Sequence, residues 1–390
     1  MRKAIALMTF ALAGLILAAG ASERVRVYAF ILSQADSVQQ KQSVVTSMVD
    51  LGDEAAAPYL ADTLDALLAA RSTVARGSQT EEYERLVRTL VKALGDWRYA
   101  NAAPSLMRVV EDSADPLSRA EALIGLGSMR AVEYAEKIAL LLRNLTFTPP
   151  ADRDGSEKVA YGAVLALERM RSPLGFEQLF AASEGWYSKR VKDQAERSLE
   201  LVLPDPSDAI KAIIAVGSPD RISRALALAL RSQAPQNRQR ELASLALERG
   251  IALSPGRTRA EQLSLAELRT RAMNALVALA DTEGRNAAFL AEAYRIGSTD
   301  ERLVALRALG TNRSPEAAGA LSDIIVRLNS DMSAGIVNDT QNTLMRAALQ
   351  NAAVNKQKSL ATALLIVQNN SQKLSNAIIR LASDSLKALE

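Results

Sequence analysis

The chain has 390 residues, with 47 Lys plus Arg against 44 Asp plus Glu and a hydrophobic content of 48%. It contains no histidine and no cysteine, which excludes zinc sites built on those ligands, Ser-His-Asp triads, Cys-His dyads and thiol redox centres. Aromatic residues make up 4%, too few for a platform that stacks nucleic-acid bases, and the apolar content is too high for a disordered chain.

Residues 1–21 have the pattern of a secretory signal peptide. Arg2 and Lys3 form a positive head, Ala4 to Leu17 an apolar stretch, and Ala19-Gly20-Ala21 the small residues that a signal peptidase requires, so the mature chain is expected to begin at Ser22. The apolar run falls short of the ~20 residues that span a bilayer; an uncleaved anchor is the alternative. Position 21 is Ala where a bacterial lipoprotein carries its lipidated cysteine, so there is no lipobox. Cleavage removes Arg2 and Lys3 and lowers the formal net charge from +3 to +1. That balance, together with export, argues against a nucleic-acid partner. No second apolar run is long enough to span a membrane, so the expected address is the periplasm, with no transmembrane segment in the mature chain.

After residue 22 the apolar spacing is helical throughout, and an all-α fold is expected. Leu86, Leu90, Val91 and Leu94 form one stripe of a helix, and Leu303, Leu306 and Leu309 form another. Each stripe ends in Gly, which reads as a helix stop that adopts positive φ without steric cost. The ending recurs as Leu51-Gly52-Asp53, Leu94-Gly95-Asp96, Leu126-Gly127-Ser128 and Leu309-Gly310-Thr311, with looser forms at Arg169-Met170-Arg171, Glu248-Arg249-Gly250 and Leu279-Ala280-Asp281. Successive steps are 43, 32 and 44 residues, then 31 and 29 further along. A drifting period of roughly 30–45 residues with two helices per unit is the signature of a helical solenoid.

Residues 86–129 and 301–328 resemble HEAT repeats of the bacterial HEAT-like type. In both, a helix ending Ala-Leu-Gly (93–95 and 308–310) leads through a polar turn to a second helix carrying Ala-Ala-Pro-Ser-Leu (102–106) or Ala-Ala-Gly-Ala-Leu (317–321). An Arg stands near the start of one helix in each stretch, Arg119 and Arg302. The resemblance is strong over 81–145 and 264–329, moderate over 41–71, and weak over 172–253 and 340–390. It implies an α-solenoid of roughly ten antiparallel helix pairs, a HEAT-like superhelix filling residues 22–390 as a single domain.

With each pair read as helix A then helix B, four connections are long: 72–80, 145–156, 253–263 and 329–338. All run from A to the following B, so they share one edge, which is either a binding side or the edge where loop length drifts freely. Charge is segregated as well. Residues 50–84 hold eight acids against Arg71 and Arg76, whereas 221–271 hold ten arginines, no lysine and four glutamates. Lysine-free basic segments suit bidentate recognition of carboxylate or phosphate, although a solvated face with pairs such as Glu267–Arg271 has the same composition. Candidate partner-binding residues are Arg257 and Arg259, expected in the 253–263 loop, with Arg238, Arg240 and Arg269 beside them.

Catalytic signatures are missing from the sequence. It contains no Ser-x-x-Lys, no G-x-S-x-G elbow and no P-loop. Asp152-Arg153-Asp154-Gly155-Ser156 opens like a calcium loop, but its sixth position is Glu157 where that loop needs Gly, and its twelfth is Ala163 where it needs Glu. Trp186 and Tyr187 read as staples between helix pairs. Some HEAT-like proteins are lyases or metal-dependent hydroxylases; the latter use His-Glu ligand pairs, which this chain cannot supply. The resulting expectation is a non-catalytic exported scaffold or adaptor, without cofactor or metal. It would bind another protein of the bacterial cell envelope through a concave face and a loop-bearing edge, as in a secretion or flagellar-motor complex. The alternative is an envelope enzyme or lyase using carboxylates in the concave groove.

Overall fold

The computed structural model describes residues 22–74, 79–148, 151–370 and 372–389; the expected signal peptide, residues 1–21, lies outside the described residues. The described chain is all-α. Apart from the four-residue turn Arg71–Val74 it forms twenty α-helices, with no strand among the described residues. None of these helices is long and apolar enough to cross a membrane. The helices fall into two compact units, one ending at Leu203 and the other beginning at Pro204.

The first unit contains α1 (Glu23–Ser33), α2 (Val38–Asp50), α3 (Ala57–Ala69), α4 (Gln79–Asp96), α5 (Ala103–Asp112), α6 (Pro116–Met129), α7 (Ala135–Phe147), α8 (Arg153–Met170), α9 (Phe176–Glu184) and α10 (Lys189–Val202). The second contains α11 (Ser207–Val216), α12 (Pro219–Arg231), α13 (Gln236–Ala252), α14 (Arg259–Ala278), α15 (Arg285–Ile296), α16 (Thr299–Thr311), α17 (Pro315–Ser333), α18 (Asp339–Asn355), α19 (Ala361–Asn369) and α20 (Asn376–Lys387). Odd-numbered helices are the A helices and even-numbered ones the B helices of antiparallel pairs. In the first unit α2, α4, α6, α8 and α10 pack in succession as one layer, and α3 against α5 and α7 against α9 in the other. In the second unit both layers are continuous, α11 to α19 by odd numbers and α12 to α20 by even numbers. Packing only on the chain neighbour and on the equivalent helix of the next pair is the contact pattern of a helical-repeat solenoid.

Local chemistry sets the boundaries. In α4 Leu86, Leu90 and Leu94 at four-residue spacing are fully buried, joined by Tyr83, Val87 and Val91. The Ser37–Gln40, Thr258–Glu261 and Ser298–Glu301 pairs are capping boxes that start α2, α14 and α16. Asp152, the first acid of the calcium-like stretch, caps α8 by accepting from the Gly155 N–H at 2.9 Å. Arg119 Nε donates to the Val110 carbonyl at 2.9 Å and so satisfies the C-terminal end of α5. Trp186 Nε1 donates to the Leu145 carbonyl at 2.9 Å, and the Tyr187 hydroxyl lies 3.0 Å from Thr146 Oγ1, which staples the α9–α10 connection to α7.

Two sequence expectations are corrected. Gly95, Gly127 and Gly310 are not stops but helical residues inside α4, α6 and α16. A Cβ on Gly95 would sit 2.6 Å from the Gly125 Cα, and one on Gly127 2.7 Å from the Ala166 Cα, so these glycines exist to let backbones touch. Only Gly52, with φ of 64°, is a left-handed stop of the expected kind. The long connections also shrink. The Thr258–Glu261 box begins α14 at Arg259, which leaves 253–258 as the connection, and α17 runs on to Ser333. The α7–α8, α13–α14 and α17–α18 connections do run from an A to a B helix.

Candidate functional site

The arginine-rich stretch lies in the second unit. Its acid partners come from neighbouring helices, and they sort the five candidates by role. Arg269, on the inward face of α14, is buried: its Nε and Nη2 both reach Glu301 Oε1 of α16 at 2.8 Å, with side-chain exposures of 9% and 5%. Its Nη1 donates to the Gly250 carbonyl at 3.3 Å. Glu301 Oε2 in turn accepts from the Ser298 N–H at 2.9 Å. The pair is therefore satisfied on both sides and bolts the end of α13 to α14 and α16. Gly250 and Gly297 make room for it, since a Cβ on either would meet the Arg269 or Glu301 stem at 3.0 or 2.7 Å.

Arg240 Nη2 donates to the Leu279 carbonyl at 3.0 Å, linking α13 to the end of α14. Arg238 reaches Asp208 of α11 at 3.2 Å on the surface. Arg257 and Arg259 are different. Both are exposed, and among the described residues no carboxylate pairs with either guanidinium. Arg259 is the first residue of α14 and not a loop residue as the sequence implied. The connection before it is fastened by Glu261, whose carboxylate accepts from the Arg257 and Thr258 N–H groups at 2.8 and 3.0 Å. Those backbone bonds, Thr258 first, hold the Glu261 carboxyl below its ordinary range.

Arg259 and Arg269 share a groove of about 540 Å³. The bolt forms its floor, Ile251, Leu253 and Pro255 one wall, and α14 with the end of α15 the rest. Leu263 and Ile296 line it at 59% and 41% exposure. Its other acid, Glu292, is held below the ordinary carboxylate range by Arg295, whose Nε and Nη2 donate to it at 2.7 and 2.5 Å. Both acids in the groove are thus ion-paired, and what the surface offers is apolar area beside an open guanidinium. Sequence reasoning missed Leu263 and Ile296. The signal was there in phase: Leu263 falls off the Leu265–Leu268–Ala272 stripe that faces the core.

No protein-family model and no curated protein matches the chain. Among solved structures it is similar to human deoxyhypusine hydroxylase in complex with glycerol, at 16% identity over 97% of this chain and 98% of that one, with a TM-score of 0.28. It is also similar to a structure from work on a phosphorylation switch controlling the interaction between cadherin and beta-catenin, at 11% identity over 94% and 90%, with a TM-score of 0.35. A third is the SYS-1/POP-1 complex, at 11% identity over 95% and 68%, with a TM-score of 0.24.

Proposed function

We propose that the chain is an exported, non-catalytic helical-repeat scaffold of the HEAT type that binds another protein of the cell envelope. One observation carries this reading: the α13–α16 groove sets exposed Leu263 and Ile296 beside the open Arg259, over a floor whose charges are already satisfied. Exposed apolar area beside an arginine is the composition of an interface core, which is apolar and enriched in Arg. Glu292 and Glu301 are each taken up by an arginine, Arg295 and Arg269, so the groove offers a partner its apolar area and Arg259.

The test replaces Leu263 by a photoreactive phenylalanine analogue, irradiates intact cells and identifies adducts by mass spectrometry. The expected result is one dominant envelope protein, absent when Arg259→Glu is added, on a chain whose first residue is Ser22. Adducts with the same proteins from a probe on the opposite face of α14 would overturn the binding groove. Recovery of chains that retain Met1 would overturn cleavage of the signal peptide.

A further inference from the structure

Three successive B-to-A turns of the first unit place an arginine in the left-handed region. They are Arg98 after α4 (φ 53°), Arg130 after α6 (φ 54°) and Arg171 after α8 (φ 51°). The first two turns are Schellman motifs: the Tyr99 and Arg98 N–H groups donate to the Leu94 and Gly95 carbonyls at 3.0 and 3.1 Å, and those of Ala131 and Arg130 to Leu126 and Gly127 at 3.1 and 3.0 Å. Glycine suits this position because any Cβ crowds the next carbonyl oxygen. The same turn carries Gly52 after α2, and Ala280 and Lys356 in the second unit. A cation there gains less from the helix dipole than the left-handed turn costs an L-residue.

All three arginines line one groove of about 480 Å³, with Arg169, Asp96 and Glu168. They are exposed, and among the described residues none is paired with a carboxylate. The groove's acids are already engaged, Asp96 with Lys92 at 3.1 Å and Glu168 by hydrogen bonds from Gln194 Nε2 and Ser198 Oγ, each at 2.5 Å. Arg169 is engaged too, donating to Ser128 Oγ at 2.6 Å. The charge of Arg98, Arg130 and Arg171 faces solvent.

We propose that this groove binds an extended acidic segment of a partner protein, with one carboxylate per arginine. Neighbouring helices pack at ~8–10 Å, so three successive turns spread the arginine backbones over about 16–20 Å, a row that an extended segment can follow. An extended chain rises ~3.3 Å per residue, so about six residues run the row, and acids two or three apart meet successive arginines. Each meeting is a guanidinium–carboxylate fork. This groove belongs to the first unit and does not depend on the α13–α16 groove.

The test measures fluorescence anisotropy of a fluorescein-labelled decaglutamate peptide with the full mature chain. Wild type is expected to bind, more weakly as salt rises. The triple variant Arg98→Gly, Arg130→Gly, Arg171→Gly keeps every turn conformation, so its thermal midpoint should be unchanged or higher while affinity falls about tenfold, the product of three modest exposed contacts. The single variant Arg130→Gly removes the middle of the row and should lose about two- to threefold, which keeps the test valid if the triple variant folds poorly. Arg313→Glu with Arg346→Glu, exposed second-unit positions outside both grooves, should leave the affinity unchanged. The proposal is overturned if wild type does not bind, if the triple variant binds equally well, if the second-unit variant loses as much, or if inorganic phosphate at equal charge competes as well as unlabelled decaglutamate.

Discussion

The α4–α6–α8 junction of the first unit and the turns around Asp281 in the second are held by different means. In the first, α4, α6 and α8 meet backbone to backbone. A Cβ on Gly95 would lie 2.6 Å from Gly125, one on Gly127 2.7 Å from Ala166, and one on Gly162 2.9 Å from the Ala120 carbonyl oxygen. In the second, buried polar side chains join the pairs. Asn286 and Asn312 donate to Asp281 Oδ2 at 2.9 and 2.8 Å, Asn355 donates to the Leu309 and Asn312 carbonyls at 3.0 and 2.8 Å, and the Arg269–Glu301 pair is buried in the same unit. Close backbone contact gains dispersion but tolerates no added volume. A polar network tolerates some change of shape but not the loss of one partner. Each junction is therefore fragile to a different class of substitution.

The largest effect is expected where a charge is stranded. Arg269→Met leaves Glu301 buried without its cation and should cost about 3–5 kcal/mol, read as a fall in denaturation midpoint. Adding Glu301→Leu removes the stranded charge and should recover most of that loss, because two well-packed apolar residues replace a pair whose desolvation offset its attraction. A double variant as unstable as the single one would mean that the bolt contributes by shape and not by charge.

The glycines make the reciprocal test. Gly127→Ala drives a methyl into the Ala166 backbone, which cannot swing away as a side chain would, and should cost about 1–3 kcal/mol. Gly319→Ala, on the exposed face of α17, meets nothing within 4 Å and should stabilise by about 0.8–1 kcal/mol through helix propensity alone. The same substitution is thus expected to change sign between a close helix contact and an open face, and Gly310→Ala, whose Cβ would lie 2.7 Å from the Asn351 Cβ, should lose stability as Gly127→Ala does. Equal losses at Gly127 and Gly319 would mean that the cost does not come from the helix contact.

Much of the architecture was legible because periodicity and the Leu-Gly endings report on faces and repeats, which are local properties. Position in space was not. Gly95 and Gly127 carry the right residue type for a helix stop, and only the neighbouring helix reveals that they serve close approach. Arg269 belongs to the same lysine-free run as Arg259, yet one faces Glu301, 32 residues away, and the other faces solvent. Composition cannot separate them, because the discriminating partner lies in another repeat. Thr258-x-x-Glu261 was the one readable clue that α14 begins at Arg259.

The smallest effect concerns the left-handed arginines and has a definite sign. Arg130 terminates α6 at φ 54°, a conformation that costs an L-residue about 1 kcal/mol and glycine almost nothing. Against this, a cation near the last carbonyls of α6 gains a few tenths of a kcal/mol from the helix dipole, reduced by solvent because the side chain is exposed. Glycine also loses more freedom on folding, which takes back part of the gain. The balance for Arg130→Gly is a stabilisation of about 0.5 kcal/mol or less in chemical denaturation at moderate salt, and slightly more at high salt, where the dipole interaction is screened. The equivalent change at Gly52, to Arg, should destabilise by a similar amount, since it introduces the strain that Arg130 already carries. A measurable loss of stability on Arg130→Gly would show that the guanidinium holds the turn together, and the first unit's arginine row would then be explained by folding without any ligand.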